Sequence, residues 1–157
     1  MFVDPALRSK LTPLFHLYWR FARGMTLGVR GCVIDKDDRI LLIKHGYTPG
    51  WHFPGGGVEV GQTLRQALEM ELREEANVEL TGEPTFLGMH LNDRTSRRDH
   101  VAFYAIRAWV QPVAPQPNRE IIDHGFFARD ALPPDTSRAT RDRLAELFDG
   151  QPRSEHW

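Results

Sequence analysis

The stretch that decides the fold is WHFPGGGVEVGQTLRQALEMELREEANV, residues 51–78, in which a glycine run leads into a strong helix signal. Residues 55–57 are three consecutive glycines, and the apolar spacing from Leu64 to Ala76 predicts a helix. Thr63, with Gln66 three residues later, is a capping-box signature for the start of that helix. The stretch therefore predicts a glycine-rich loop followed directly by an amphipathic helix.

The acidic residues of this helix lie on an unexpected side. Projected at about 100° per residue, Glu71, Glu74 and Glu75 fall on the same half as the leucines. Glutamates that only solvate a helix lie opposite its apolar side, where Glu69 can pair with Arg73. Neighbouring like charges repel, and partial burial makes that repulsion more costly. A bound cation would offset the cost, and carboxylate oxygens suit magnesium or manganese.

The glycine run strengthens this interpretation. Glycine lets a backbone carbonyl or amide approach a metal or a phosphate closely. Three glycines alone usually form a plain turn, but here they stand at a fixed distance from the acidic helix. A metal held between carboxylates and a diphosphate would neutralise charge on the phosphoryl oxygens and make a bound water a better nucleophile.

Together these residues resemble the Nudix box. In this chain the pattern runs from Gly56 through Gln62 to Met70-Glu71-Leu72-Arg73-Glu74-Glu75-Ala76-Asn77-Val78, with the usual lead-in Phe53-Pro54-Gly55. The likeness extends over roughly residues 24–148. It implies an α/β fold, the Nudix-like α/β/α sandwich with a mixed sheet. It also implies hydrolysis of the diphosphate linkage in a nucleoside diphosphate that is linked to another group.

The resemblance also implies roles for individual residues. It implies that the Gly55 carbonyl, Glu71 and Glu75 bind Mg²⁺ or Mn²⁺, and that Glu74 is an additional ligand or a base. Glu71 is thereby both a metal candidate and a catalytic candidate, as is Glu74.

Glu120 resembles the extra acidic residue that this family often supplies before its last strand. A carboxylate from an opposing loop can complete a metal shell or take a proton from attacking water. We therefore include Glu120 among both the metal and the catalytic candidates, with Asp123 as its rival.

Three positions depart from the Nudix pattern. Gln62 replaces a glutamate, so one carboxylate is missing. Met70 replaces an arginine that usually braces the glutamates, and methionine carries neither charge nor hydrogen-bond donors. Asn77 replaces a glycine, a mild change because asparagine tolerates the left-handed conformation. The first two changes favour an alternative in which the chain is a catalytically weak domain that binds or senses a nucleotide.

Four arginines are candidates for substrate binding. Arg94, Arg97 and Arg98 lie in a predicted loop between strands, where they would either grip the substrate or form a solvated hairpin. Arg30 lies on a predicted strand near the site. Aromatic residues beside the glycine run would stack on a base or simply pack: Tyr47, Trp51 and His52. Histidines without a ligand spacing are interpreted as structural or exposed: His16, His45, His90, His124 and His156.

Outward from the helix, the sequence predicts an N-terminal helical arm (1–23), a Nudix domain (24–150) and a C-terminal tail (151–157). The arm contains a predicted helix, residues 14–23, rich in aromatic residues and carrying two arginines. Such a helix can lie on a membrane surface. We favour packing on the chain's own domain or on a partner in a homodimer.

The remaining elements follow from periodicity and turn signals. Residues 26–34 and 39–44 are predicted to form a hairpin around the turn 35–38. Further strands are predicted at 84–91, 100–110 and 121–127. A proline-rich loop is predicted at 112–117, and a closing helix at 137–148.

Composition excludes several classes of protein. The chain has 157 residues and a formal net charge of −1, which disfavours general nucleic-acid binding and RNA-end processing. The single cysteine, Cys32, excludes an internal disulfide and is expected to be a buried core residue. The sequence contains neither a membrane-span pattern nor a signal-peptide pattern, so the cytoplasm is the expected location. The family resemblance implies a nucleotide-like small molecule as the partner.

Overall fold

The computed structural model describes residues 15–157. Its first helix, α1, covers residues 15–22, and the N-terminal remainder of the predicted arm lies outside the described residues. The other elements, in chain order, are β1 (Thr26–Val33), β2 (Ile40–His45), β3 (Trp51–His52), α2 (Leu64–Ala76), β4 (Glu79–Leu80), β5 (Thr85–Leu91), β6 (Asp99–Ile106), β7 (Trp109–Val110), β8 (Ile121–Phe127), a short 3₁₀ turn (Arg129–Ala131) and α3 (Arg138–Phe148).

Both long helices have the predicted bounds because their end signals are local. Thr63 accepts a hydrogen bond from the Gln66 amide, while the Gln66 side chain accepts one from the Thr63 amide, so the capping box is complete. Asn77 ends α2 in the left-handed conformation with φ of 51°. Ser137 caps α3 by accepting from the Thr140 amide.

The strands form two three-stranded sheets and one two-stranded sheet. In the first sheet, β6 lies between β1, with which it runs parallel, and β5, with which it runs antiparallel. In the second, β2 pairs antiparallel with both β3 and β8. The predicted mixed sheet is confirmed, and the short β4 and β7 form the third sheet.

The predicted hairpin between β1 and β2 is wrong. The turn at 35–38 exists, and the Asp35 carboxylate accepts from the amides of Asp37 and Arg39, both at 2.9 Å. Beyond one bridge between Ile34 and Ile40, however, the two strands separate into different sheets. The second edge of β1 is hydrogen-bonded to residues 54–58 instead.

The core lies on both faces of the strands, which gives the three-layer arrangement. Val29 and Val33 of β1 pack with Leu68 and Leu72 of α2 on one face. Residues of the opposite face, including Cys32, pack around Leu144 of α3. Cys32 is fully buried and free, as predicted.

The two ends of the described chain behave differently. Residues 151–157 dock on the domain: the Leu91 amide donates to the Glu155 carbonyl and the Trp157 amide to the Leu91 carbonyl. The side chains of α1, in contrast, are all exposed. Over residues 15–157, no helix combines the length and apolar character needed to cross a membrane.

Candidate active site

The glycine run forms one wall of the candidate site. Gly55 has φ of 141°, and a side chain there would collide with the Val29 backbone, so only glycine fits. Gly56 lies against the Glu71 carboxylate, which occupies the place that a β-carbon would need. Hydrogen bonds from the amides of Val29 and Gly31 to the carbonyls of Gly56 and Pro54, both 2.9 Å, fix this wall to β1.

Glu75 is the buried centre of the site. Its side chain is only 6% exposed, and its Oε2 accepts a hydrogen bond of 2.6 Å from the Gly55 amide. Burial raises the pKa of Glu75 to about 8, although the Gly55 amide and the positive charge of Arg30 oppose the rise. Within residues 15–157, the positive charge near Glu75 does not offset the cost of burying its ionised form.

Glu71 and Glu74 continue the acidic face of α2 toward solvent. Glu71 is partly exposed, and burial together with the nearby charge of Glu74 raises the pKa of its carboxyl group. Glu74 itself is exposed. The helix thus presents one buried, one half-buried and one exposed carboxylate to the same region.

Arg30 faces these carboxylates from β1. Its guanidinium donates hydrogen bonds to the Gly55 carbonyl and, at 3.3 Å, to the Phe53 carbonyl. Its charge lowers the pKa of both Glu71 and Glu75 against the effect of burial. Because a carbonyl oxygen has two lone pairs, the Gly55 carbonyl can hold Arg30 and accept a cation on its other side.

Glu120 approaches the site from the opposite side. One oxygen of Glu120, one of Glu75 and one ring nitrogen of His45 all lie within 4.8 Å of one another. Backbone pairing explains this placement, because the Gly46 amide donates to the Glu120 carbonyl at 2.8 Å. The hydroxyl of Tyr47 also donates to Glu120 Oε1 at 3.3 Å.

His45 is the residue that sequence reasoning missed. Its Nε2 lies 3.6 Å from Glu75 Oε1, and its Nδ1 is buried without a hydrogen-bond partner among residues 15–157. Burial and the charges of Arg30 and His52 lower the pKa of His45, which keeps the ring neutral at pH 7 and able to act as a ligand. No spacing in the sequence indicated this role, because His45 reaches Glu75 only through the fold.

The other candidates fall in different places. Asp123, the rival of Glu120, is exposed and accepts from the His124 amide at 2.8 Å. Trp51 is buried and packs on Phe127, so it belongs to the core rather than to a stacking platform. His52 donates a hydrogen bond of 2.8 Å from its Nε2 to the Pro49 carbonyl.

The predicted arginine loop has contacts of its own. The Arg98 guanidinium donates to the carbonyls of Phe21 and Gly24, both at 3.3 Å, and so holds the end of α1. Arg94 lines an open cleft of about 670 Å³ between α3 and residues 151–157. Arg97 is exposed. Substrate binding by these three arginines stays a prediction.

The two departures from the Nudix pattern are in contact with each other. The Gln62 amide nitrogen lies 3.5 Å from the Met70 thioether sulfur. Positions that are glutamate and arginine in the family pattern are therefore neighbours in space. In this chain both side chains are neutral, so neither position leaves an unpaired charge.

The donor set fits a hard divalent cation. Carboxylate oxygens, a backbone carbonyl and a neutral imidazole meet in one partly buried region, and their net negative charge is only partly balanced by Arg30. Magnesium and manganese prefer such oxygen-rich sites, and imidazole is acceptable to manganese.

The burial of Glu75 predicts a pH dependence of stability. Because its pKa is raised in the folded state, the folded protein holds that proton more tightly, and the stability this provides is lost as pH rises toward about 8. Histidines with lowered pKa values act in the opposite sense, but only below about pH 6.5. With a chelator present, we expect the free energy of unfolding to fall between about pH 6.5 and pH 8, by at most about 1.4 kcal/mol per pH unit.

Urea unfolding of the wild-type chain and of Glu75→Gln across this range measures the effect. The variant should show a flatter profile, since it has no proton to lose at this position. Parallel profiles for the two proteins would contradict the assignment of the pH dependence to Glu75.

Comparison with known proteins agrees with the fold and the box. The NUDIX domain family matches residues 25–148, so the chain belongs to this family. This confirms the resemblance found in the sequence and nearly reproduces its bounds.

Relatives with several activities share parts of the chain. An 8-oxo-dGTP diphosphatase from Proteus vulgaris is 30% identical over 83 residues, covering 50% of this chain and 73% of that protein. A CTP pyrophosphohydrolase from Escherichia coli is 35% identical over 89 residues, covering 54% of this chain and 61% of that protein. An ADP-ribose pyrophosphatase from Methanocaldococcus jannaschii is 35% identical, but the match spans only 42% of its length and 44% of this chain.

Solved structures extend the likeness over most of the domain. A MutT NUDIX hydrolase from Burkholderia pseudomallei superposes with a TM-score of 0.67 at 28% identity, covering 78% of this chain and 98% of that one. An ADP-ribose pyrophosphatase from Streptococcus suis gives a TM-score of 0.60 at 28% identity, covering 84% and 95%. The α/β/α fold class is thereby confirmed.

Proposed function

We propose that this chain is a Mg²⁺- or Mn²⁺-dependent hydrolase that cleaves the diphosphate linkage of a nucleoside diphosphate joined to another group. The observation that carries the proposal is a cluster of carboxylates beside the glycine run. Glu75 accepts from the Gly55 amide, and the Glu71 carboxylate lies against Gly56. Ligand atoms of Glu120 and His45 lie within 4.8 Å of one of Glu75. Such a cluster costs stability unless a cation is bound, and a diphosphate substrate brings its own affinity for that cation.

The residues divide into holding and proton-accepting roles. Gly55, Glu71 and Glu75 would hold the cation, with Glu120 and His45 within reach from the opposite side. When bound there, a divalent cation would stabilise charge on the phosphoryl oxygens and make a coordinated water more acidic. Arg30, which already points at this region, would balance the negative charge of the diphosphate.

Hydrolysis requires one further group in the site. The oxygen of water bonds to one phosphorus, the bridging oxygen leaves with the other, and the proton lost by water needs an acceptor. Glu74 and Glu120 are exposed carboxylates at the two sides of the site, and either suits this role. Glu75 is less suited, because its buried carboxylate is committed to the Gly55 amide.

A panel of nucleotides tests the proposal directly. Purified full-length chain would be incubated with Mg²⁺ or Mn²⁺ and with 8-oxo-dGTP, CTP, ADP-ribose, sugar nucleotides and dinucleoside polyphosphates, and the products analysed by chromatography. We expect metal-dependent cleavage between two phosphates of at least one substrate. Binding of a nucleotide without turnover across the panel would instead support the sensing alternative, which Gln62 and Met70 favour.

The contact between Gln62 and Met70 predicts that their effects are coupled. Met70→Arg alone places a positive charge beside a neutral amide, whereas Met70→Arg with Gln62→Glu creates an ion pair next to the acidic helix. We expect the double variant to raise the rate or the metal affinity by a few fold, and more than the two single changes added as free energies.

A double-mutant cycle of kcat, KM and Mg²⁺ affinity measures this coupling. Arg65→Met serves as a control, because Arg65 lies on the same helix but pairs with Glu69 and Glu83. Additive effects of the two substitutions would show that positions 62 and 70 act independently.

A further inference from the structure

The helix α1 presents an apolar surface that nothing in the described chain covers. Its large side chains are strongly exposed, with Phe21 at 72% and Tyr18 at 60%. The others, Phe15, Leu17, Trp19 and the following Met25, are between 41% and 61% exposed. In a water-soluble domain, an exposed aromatic cluster of this kind marks an interaction surface.

The same helix is strictly two-sided. Projected at about 100° per residue, His16, Arg20 and Arg23 fall within a sector of about 60°. The aromatic and aliphatic residues occupy the remaining side. Arg23 also lies over the Trp19 ring, with 3.8 Å between its guanidinium carbon and the ring centroid.

The charged side chains of α1 and of the sequence on either side of it are all positive. Between Asp4 and Asp35 the sequence contains no acidic residue, although the chain as a whole has a net charge of −1. Arg98, which donates to the carbonyls at the end of α1, adds a further positive charge at that point. The surface is therefore cationic and aromatic in a protein that is otherwise slightly acidic.

We propose that α1 binds the surface of an anionic lipid bilayer, lying in the plane of the interface. Trp, Tyr and Phe are favoured at the boundary between headgroups and acyl chains, and Arg side chains on the polar face contact anionic headgroups. The helix would anchor the domain without crossing the membrane. The surface is distinct from the acidic site, so the proposal does not depend on the catalytic function.

A second copy of the chain is the rival occupant, and it fits less well. A two-fold symmetric contact brings the same patch of both subunits together. Contact through the apolar sides of two copies of α1 would leave Arg20 and Arg23 facing outward, with no acidic residue on the helix to balance them. An anionic bilayer supplies the missing negative charge at the depth where the arginines lie.

Vesicle co-sedimentation of the full-length chain tests the proposal. Vesicles of phosphatidylcholine alone would be compared with vesicles that also contain phosphatidylglycerol, at low and at high salt. We expect binding to the anionic vesicles, weakened by salt and much lower on phosphatidylcholine. Arg20→Gln with Arg23→Gln should lower the partition coefficient about thirtyfold. Tyr18→Ala with Phe21→Ala should reduce binding to a similar extent.

Matched controls separate this surface from general exposure and charge. Lys36→Gln with Arg107→Gln also removes two exposed positive charges, and Val60→Ala with Val113→Ala also trims two exposed apolar side chains. Neither pair should change vesicle binding, and thermal unfolding should show that all variants fold. Equal loss in the controls, or no binding to anionic vesicles, would overturn the proposal. A further contradicting result would be a chain that does not bind vesicles and that is a dimer in sedimentation velocity, if the Tyr18→Ala and Phe21→Ala changes dissociate that dimer.

Discussion

Replacement of Glu75 by glutamine is expected to lower the metal-dependent rate by about 100-fold or more, because it removes the charge of the most buried candidate ligand. The side chain keeps its shape, and its carbonyl oxygen can still accept from the Gly55 amide. The fold should therefore survive. In the absence of metal at pH 8, the variant should even be more stable than the wild type. Burial makes the ionised form of Glu75 unfavourable, and glutamine has no proton to lose at this pH.

Steady-state kinetics at limiting and saturating Mg²⁺, together with Mg²⁺ binding by calorimetry, would measure this effect. Glu69→Gln is the matched control, because Glu69 lies on the same helix but pairs with Arg65 outside the site. An unchanged rate of Glu75→Gln at limiting metal, or an equal loss in Glu69→Gln, would remove Glu75 from the proposed metal site.

A second large effect is expected from a single methyl group. Gly56→Ala would place its β-carbon where the Glu71 carboxylate now lies, so that carboxylate must move away from the glycine wall. Displacement of a ligand by about 1 Å is enough to cost about 100-fold in rate. We expect a loss of this order in kcat/KM, with weaker metal binding and an intact fold.

The adjacent residue provides the control. A β-carbon on Gly57 meets no atom within 4 Å, so Gly57→Ala should leave the rate and the metal affinity almost unchanged. Kinetics and circular dichroism of the two variants would be compared side by side. Similar activity of Gly56→Ala and Gly57→Ala would show that Glu71 does not need its present position.

The parts of the fold that depend on neighbours in sequence were predictable. The capping box at Thr63 and Gln66, the left-handed Asn77 and the cap at Ser137 all act within one helical turn, and they fixed both helices to within a residue. The acidic trio was also predictable, because helical periodicity alone places Glu71, Glu74 and Glu75 together.

Contacts between strands and side chains that are distant in sequence could not be predicted in the same way. The turn at 35–38 indicated a hairpin, yet β1 uses its edges for β6 and for residues 54–58. Periodicity marks a strand as apolar but does not say which strand lies beside it. His45 was missed for a similar reason. The pairing of β2 with β8 brings it near Glu120, and the packing of the fold brings Glu75 of α2 near both.

The placement of Glu120 lies between these cases. The family resemblance singled it out, and the structure brings its carboxylate near Glu75. The hydrogen bond from the Gly46 amide to the Glu120 carbonyl accounts for that proximity. The proline-rich sequence before Glu120 does not indicate such a bond. Its role as a ligand or as a proton acceptor stays part of the proposal.

The hydrogen bonds that join β1 to the glycine wall have a consequence for amide exchange. The amides of Val29 and Gly31 point at carbonyls of the wall, while Val29 itself is fully buried. These amides can exchange with solvent only when the wall separates from β1, which disrupts the core at the same time. We therefore expect them to exchange as slowly as the innermost amides of β6. The glycine wall beside Glu71 and Glu75 would then separate from β1 only in global unfolding. The site would therefore already have its shape before any ligand binds.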